Sequence, residues 1–317
     1  MKNDRQSLPH LGEEIFLTDG GLETTLIFHH GLELPHFACF PLLDDAKGRA
    51  ELTAYYEPYL AIARDHGRGF ILDTPTWRAN PDWAEKLGYD LAALRALNIR
   101  SVEYIADLRR AWQKPGTRIL LNGAIGPRGD AYQQGQMSTA EAEKYHAHQI
   151  GAFAETEVDM VTALTLNTTE EAIGIIRAAK AVGLPVVISF TVETDGRLAN
   201  GMSLEEAIET TDAMTGSTAA YYMINCAHPS HFDHVLGGDA EWLRRIGGIR
   251  ANASAKSHAE LDESTELDIG DPQDLGRRYA RLTARYPSMR VLGGCCGTDH
   301  RHVAAICEAC APRAAAE

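Results

Sequence analysis

Pro185-Val186-Val187-Ile188-Ser189-Phe190-Thr191 is a short, mostly apolar run with a helical pattern on either side. Consecutive aliphatic residues without alternation suit a strand buried on both faces, as in a parallel sheet covered by helices. Comparable runs recur along the chain and predict strands over residues 14–19, 69–74, 118–124, 159–166, 185–191, 220–226, 246–251 and 290–294. Between them, helices are expected near 49–66, 82–113, 138–156, 170–182, 203–216, 230–244, 272–286 and 299–311. Ser138-Thr139-Ala140-Glu141 and Ser203-Leu204-Glu205-Glu206 carry helix-start chemistry. Eight strand–helix units in about 310 residues is the count of a closed (β/α)8 TIM barrel. A doubly wound α/β sheet is the rival, but no Gly-x-Gly-x-x-Gly follows the first strand. No linker or low-complexity stretch interrupts the pattern, so residues 1–317 read as a single barrel domain.

Composition narrows the function. The chain has 317 residues, 44% hydrophobic and 23% charged, with 30 Lys plus Arg against 44 Asp plus Glu and a net charge of −14. An acidic surface repels phosphate backbones and anionic membranes, which argues against nucleic-acid and membrane partners and weakly favours a cationic small molecule. Residues 1–11 lack an apolar signal core, and no apolar run approaches the ~20 residues of a membrane span. Six cysteines in a chain of this length, two of them adjacent, do not make a disulfide framework. The expected compartment is cytoplasmic; homo-oligomerisation stays open.

The cysteines carry the chemistry. Val291-Leu292-Gly293-Gly294-Cys295-Cys296-Gly297-Thr298 places two adjacent thiols in a glycine frame at the end of the last strand, and Tyr222-Met223-Ile224-Asn225-Cys226 ends the sixth. Strand ends two positions apart are ~10 Å apart before side chains reach inward, a gap that thiolates with Zn–S bonds of ~2.3 Å can close. Three sulfurs without a fourth protein ligand describe a Zn2+ site with an open position, the arrangement of a catalytic rather than a structural ion. Glycines 293, 294 and 297 are expected to supply the backbone angles that aim both thiols at one ion. Cys39 reads as a buried small hydrophobe. Cys307 and Cys310 lie late in the last helix without a second pair. His228, His231 and His234 read as helix-start residues rather than ligands.

Other strand ends offer binding groups. Thr18-Asp19-Gly20-Gly21-Leu22-Glu23-Thr24 opens the first loop, with Gly20 and Gly21 allowing close ligand approach and Asp19 and Glu23 as rim carboxylates. Asp19 is expected to face the barrel mouth and to serve binding rather than folding. Asp73-Thr74-Pro75-Thr76-Trp77 ends the second strand, and Trp77 could form an aromatic wall for a cationic group. The acidic, Ser-rich segment 253–271 lies on the same rim, as either a substrate cover or a mobile loop.

Together, Asp19-Gly20-Gly21-Leu22-Glu23-Thr24, Gly123-Ala124-Ile125-Gly126-Pro127, Asn225-Cys226 and Gly293-Gly294-Cys295-Cys296-Gly297-Thr298 resemble the homocysteine S-methyltransferase family, in its order and over almost the whole chain. The resemblance implies a zinc-containing (β/α)8 barrel with Cys226, Cys295 and Cys296 as ligands. It implies that Asp19 helps hold the amino-acid substrate and that a methyl group passes to a zinc-bound thiol without a separate catalytic residue; Gly20, Gly21, Glu23, Trp77 and Asn225 are expected to complete the substrate pocket. S-methylmethionine or S-adenosylmethionine is the favoured donor, and a betaine-type donor the alternative. The family's strand-four glutamate, which meets the substrate amino group, is replaced by Leu164, so the acceptor is either homocysteine or a related thiol. A zinc-dependent hydrolase and a non-catalytic thiol sensor are the readings from other classes; an all-thiolate ion is a poor water activator, which disfavours the first.

Overall fold

A computed structural model describes residues 8–311 except 133, 134 and 136. Eight parallel strands close into a barrel in chain order: β1 (Phe16–Leu17), β2 (Gly69–Asp73), β3 (Ile119–Ile125), β4 (Met160–Leu166), β5 (Val186–Phe190), β6 (Tyr222–Asn225), β7 (Ile246–Ala251) and β8 (Val291–Gly294). Closure falls on β1, where Phe16 is in register with both Gly69 of β2 and Val291 of β8. Every predicted strand is present.

The helices are α1 (Leu22–Phe28), α2 (Ala46–Asp65), α3 (Pro81–Lys86), α4 (Leu91–Trp112), α5 (Thr139–Ala154), α6 (Thr169–Ala181), α7 (Leu204–Thr215), α8 (Pro229–Phe232), α9 (His258–Asp262), α10 (Pro272–Arg285) and α11 (His300–Ala309). Two predicted helices are corrected. The long pattern at 82–113 breaks at Gly88, whose φ of +82° leaves the helical region, and Asp90 caps a new helix by accepting from the Ala93 N–H. The pattern at 230–244 yields only the single turn α8 and a 3₁₀ turn at Glu241–Arg245, because Gly237-Gly238 intervenes with Gly238 at φ +80°. Helices α1 and α9 were not predicted; both lie in segments read as rim loops.

Two cores flank the sheet. The larger lies between barrel and helices. Inside the barrel, Phe16, Ile71, Leu120, Met160, Val187, Met223 and Val291 form an apolar layer, plugged from below by Leu8. Two residues further along the strands the inward positions turn polar: Asp73, Asn122, Thr162, Ser189, Asn225 and Arg250, all buried. Side chains in a strand alternate faces with period two, so this polar ring sits one layer above the apolar plug and beneath the catalytic face. It is the floor on which the site is built.

Candidate metal centre

Cys226, Cys295 and Cys296 converge at the mouth. The Cys226 Sγ lies 3.0 Å from that of Cys295 and 3.6 Å from that of Cys296, and all three sulfurs fall within 4.8 Å of one another. Sulfurs around a tetrahedral ion at ~2.3 Å lie roughly 3.8 Å apart, so slight spreading accommodates zinc. Hydrogen bonds from Cys226 and Cys296, aided by the charge of Arg250, hold the Cys295 thiol well below its ordinary pKa. The same hydrogen bonds push the Cys226 and Cys296 thiols well above theirs, so a cation bound by all three sulfurs would have to displace their protons. Among the described residues these cysteines are the only converging group of three or more cysteine, histidine or acidic side chains.

The backbone makes this convergence possible in an unexpected place. Cys226 itself adopts a left-handed φ of +57°, turning its side chain out of the β6 register. Gly297 is left-handed at +78°, but Gly293 and Gly294 serve crowding instead. A Cβ on Gly294 would meet the Thr298 hydroxyl at 2.0 Å, and one on Gly293 would meet that of Thr18 at 1.9 Å. The expected role of glycine in aiming both thiols therefore holds for one of the three positions.

Asn225 braces the centre. Its Oδ1 accepts from the Thr165 N–H at 2.8 Å and the Ser189 hydroxyl at 2.6 Å. Its Nδ2 donates to the Thr165 hydroxyl at 2.8 Å and reaches the Cys295 sulfur at 3.8 Å. Thr165 is held at φ +63° in an irregularity of the β4–β5 ladder, as bulges beside functional sites often are.

Three contributors were missed in the sequence. The Tyr132 hydroxyl lies 3.2 Å from the Cys226 sulfur, and its ring stacks on His258 at 4.1 Å between centroids. His258 Nε2 donates to the Cys226 carbonyl at 2.6 Å, while its Nδ1 faces Glu193 at 3.2 Å. Arg250 crosses the barrel floor and ion-pairs both Asp19 and Asp73. A charged residue in the otherwise apolar strand Ile246–Ala251 was the available signal: if that strand is buried on both faces, its guanidinium needs buried partners.

A cavity of about 400 Å³ opens above the three sulfurs. Asp19, Gly20, Gly21, Glu23, Trp77 and Asn225 all line it. Asp19 is nevertheless occupied: besides Arg250, it accepts from the Tyr55 hydroxyl at 3.0 Å. Burial, opposed by Arg250 and reinforced by Asp73, pushes its carboxyl up to about 7. Its expected separation from folding therefore fails, since a buried ion pair couples both roles. Burial likewise raises Glu23. Leu164 lines the wall with its side chain, and its carbonyl accepts from the Trp77 indole at 3.4 Å. The 253–271 segment forms another wall through Ser254, His258, Leu261 and Leu267, with α9 fixed by a Ser257–Glu260 capping box.

The decoys stay apart. His228 Nδ1 bonds the Ser230 hydroxyl at 2.7 Å, His231 the Ala255 carbonyl at 2.9 Å and His234 the Asp195 carbonyl at 3.3 Å. Cys307 is buried in the core around the barrel, with Cys310 packed against it, and Cys39 is buried beside Glu23.

A parallel (β/α)8 barrel with three converging cysteine sulfurs at its mouth defines the class of this chain. The homocysteine S-methyltransferase profile matches residues 16–310, and the chain belongs to that family. It is similar to betaine–homocysteine S-methyltransferase 1 from Bos taurus and from Rattus norvegicus, each 25% identical over 261 residues. Those matches cover 76% of this chain and 61% of the relatives, so the chain spans about three-fifths of their length. Its fold is similar to the oxidised form of the homocysteine methyltransferase MmuM from Escherichia coli, with a TM-score of 0.73 at 18% identity, covering 96% of this chain and 99% of that one. The metallated form of the same protein gives 0.71 at 19% identity, with the same coverage. Among the described residues no helix is long and apolar enough to cross a membrane.

Proposed function

We propose that this chain, acting as one barrel domain, is a zinc-dependent thiol S-methyltransferase. The observation that carries the reading is the convergence of Cys226, Cys295 and Cys296 beneath a cavity of about 400 Å³. Cys226, Cys295 and Cys296 would hold the zinc, which would supply Lewis acidity enough to keep a substrate thiol, with a free pKa near ~8.5, deprotonated at neutral pH.

The remaining work belongs to the protein's own groups. Asn225 fixes the relation of β6 to the β4 irregularity and to Cys295, so the donor set keeps its shape. Tyr132 and His258 wall off the Cys226 side from water. Trp77 offers an indole beside a cationic donor. The acceptor sulfur's electron pair forms the new S–C bond while the bond from the methyl carbon to the onium atom breaks. Its electrons return to the donor, which leaves neutral. No base is required at the methyl group, and alignment of the reactants supplies ~7–11 kcal/mol.

A sulfonium such as S-methylmethionine or S-adenosylmethionine fits this step as donor, with a betaine-type ammonium as the alternative. The acceptor is homocysteine or a related thiol in which the amino group counts for less, because Leu164 presents no acid to it. Incubating the zinc-loaded protein with methyl-labelled sulfonium or betaine donors and a panel of thiols, followed by mass spectrometry of the thioether, tests the reading. Absence of labelled thioether from every pair would reject it.

A further inference from the structure

Cys226 stands in the left-handed region, at φ +57°, where a residue with a Cβ is disfavoured. Strand alternation explains what the turn achieves. Asn225 faces the barrel interior, so an extended Cys226 would present its thiol to the surrounding helices instead. The left-handed turn brings both neighbours to the cavity. The Cys226 N–H still donates to the Arg250 carbonyl at 3.1 Å, as a final rung of the β6–β7 ladder. The departure begins after that rung, and the Cys226 carbonyl beyond it is the point at which the turn can be held.

That carbonyl accepts twice. The Asn252 Nδ2 donates to it at 2.9 Å and the His258 Nε2 at 2.6 Å, which occupies both lone pairs of the oxygen. Because a carbonyl only accepts, the Nε2 of His258 carries a proton. Asn252 is local: it directly follows β7, and its N–H donates to the Ala227 carbonyl at 3.2 Å. His258 lies 32 residues beyond Cys226, as the first residue of α9. Its Nδ1 meets Glu193, beyond β5, at 3.2 Å, and its ring stacks on Tyr132, whose hydroxyl lies 3.2 Å from the Cys226 sulfur. One side chain thus acts on Cys226 at its backbone and, through Tyr132, at its sulfur. Cys226, Asn252 and His258 are all buried, where hydrogen bonds are stronger than in water.

We propose that His258 is a positioning residue for the metal centre: its Nε2–H, acting through the Cys226 carbonyl, keeps Cys226 in the left-handed turn that sets its thiol beside Cys295 and Cys296. Released from that bond, Cys226 would relax toward the extended conformation of β6 and withdraw one sulfur of the three. The rim helix α9 thereby sets the geometry of the donor set. This inference rests on the reading of the three cysteines as a zinc site, and a metal-free measurement separates the two.

Two variants divide the ring from its donor. His258→Gln offers an amide N–H near the position of Nε2 but loses the stacked ring, whereas His258→Phe keeps a ring against Tyr132 and loses the donor. Chelator competition on the zinc-loaded full chain should show zinc binding weakened by about 10–100-fold in His258→Phe and by no more than a few-fold in His258→Gln. With Co2+ in place of zinc, the thiolate-to-metal charge-transfer band should be weaker in His258→Phe alone. In metal-free protein, dibromobimane should join Cys226 to Cys295 or Cys296 in wild type and His258→Gln but not in His258→Phe, as read by peptide mass spectrometry. Wild-type zinc affinity in His258→Phe would overturn the assignment. So would equal losses in both variants, which would mark His258 as a packing anchor of α9, and so would Cys226 cross-linking that is the same in all three proteins. If no protein binds zinc yet the cross-link follows the donor, the positioning role stands and the zinc reading falls.

Discussion

The side-chain amide of Asn225 closes two hydrogen bonds onto a single residue, Thr165: its Oδ1 accepts the backbone N–H and its Nδ2 donates to the hydroxyl, both at 2.8 Å. The same Nδ2 faces the Cys295 sulfur, so one amide links an irregular β4 to the metal-competent cysteines. Groups that orient metal ligands typically change affinity by about 10–100-fold when removed. Asn225→Ala should weaken zinc binding by that factor in chelator competition while the protein remains folded.

Metal content should map onto the three converging sulfurs. Cys226→Ser, Cys295→Ser and Cys296→Ser should each lose zinc by elemental analysis, whereas Cys307→Ser and Cys310→Ser should retain about one equivalent. Zinc kept in all of the first three would refute the centre.

The floor of the barrel stands on Arg250. Replacing it by methionine leaves Asp19 and Asp73 buried without their cation, a loss of the kind that costs about 3–5 kcal/mol. Urea titration should show that decrease in Arg250→Met. Adding Asp19→Asn and Asp73→Asn to it should recover much of the stability, because no buried charge is then left unpaired.

Acid stability should depend on His10. Its ring is buried edge-on to Phe16 and Tyr221, neither nitrogen has a hydrogen-bond partner among the described residues, and burial lowers its pKa to about 4. Between pH 4 and about 6.5 the unfolded chain therefore binds a proton that the folded one refuses, so stability rises with pH across that window. The contribution reaches about 3 kcal/mol at its lower edge. In metal-free protein, His10→Phe should flatten the pH dependence of the urea midpoint; an unchanged slope would show that His10 does not govern it. His228, also lowered to about 4 by burial, should account for part of the slope that remains.

With Leu164 on that wall, the amino group of the acceptor should count for little there. Homocysteine and 4-mercaptobutanoate should show kcat/KM values within a few-fold of each other in the wild type. Leu164→Glu should favour homocysteine by roughly tenfold or more, the value of a charge-assisted hydrogen bond. A strong preference for homocysteine in the unaltered protein would mean that another carboxylate serves it.

The strands were readable because a parallel barrel asks for uninterrupted apolar runs, and Val186-Val187-Ile188 is one. Cys295 and Cys296 were readable because adjacent thiols in a glycine frame at a strand end have few other uses. Arg250 escaped notice because its partners, Asp19 and Asp73, are brought to it only by barrel closure, which no local window reports. Tyr132 and His258 come from loops, where side-chain direction follows tertiary packing rather than periodicity. The helix breaks at Gly88 and Gly237-Gly238 were visible as residues but were outweighed by the apolar pattern on either side.

Barrel closure also imposes an order in time. Cys226 belongs to the sixth strand, while Cys295 and Cys296 directly follow the eighth, which must pair with the first strand before its end is fixed in space. During synthesis the chain therefore presents Cys226 without its two neighbours until the eighth strand has emerged and docked. Firm retention of an ion becomes a late event, and a newly made molecule that holds one has already joined the two edges of its sheet.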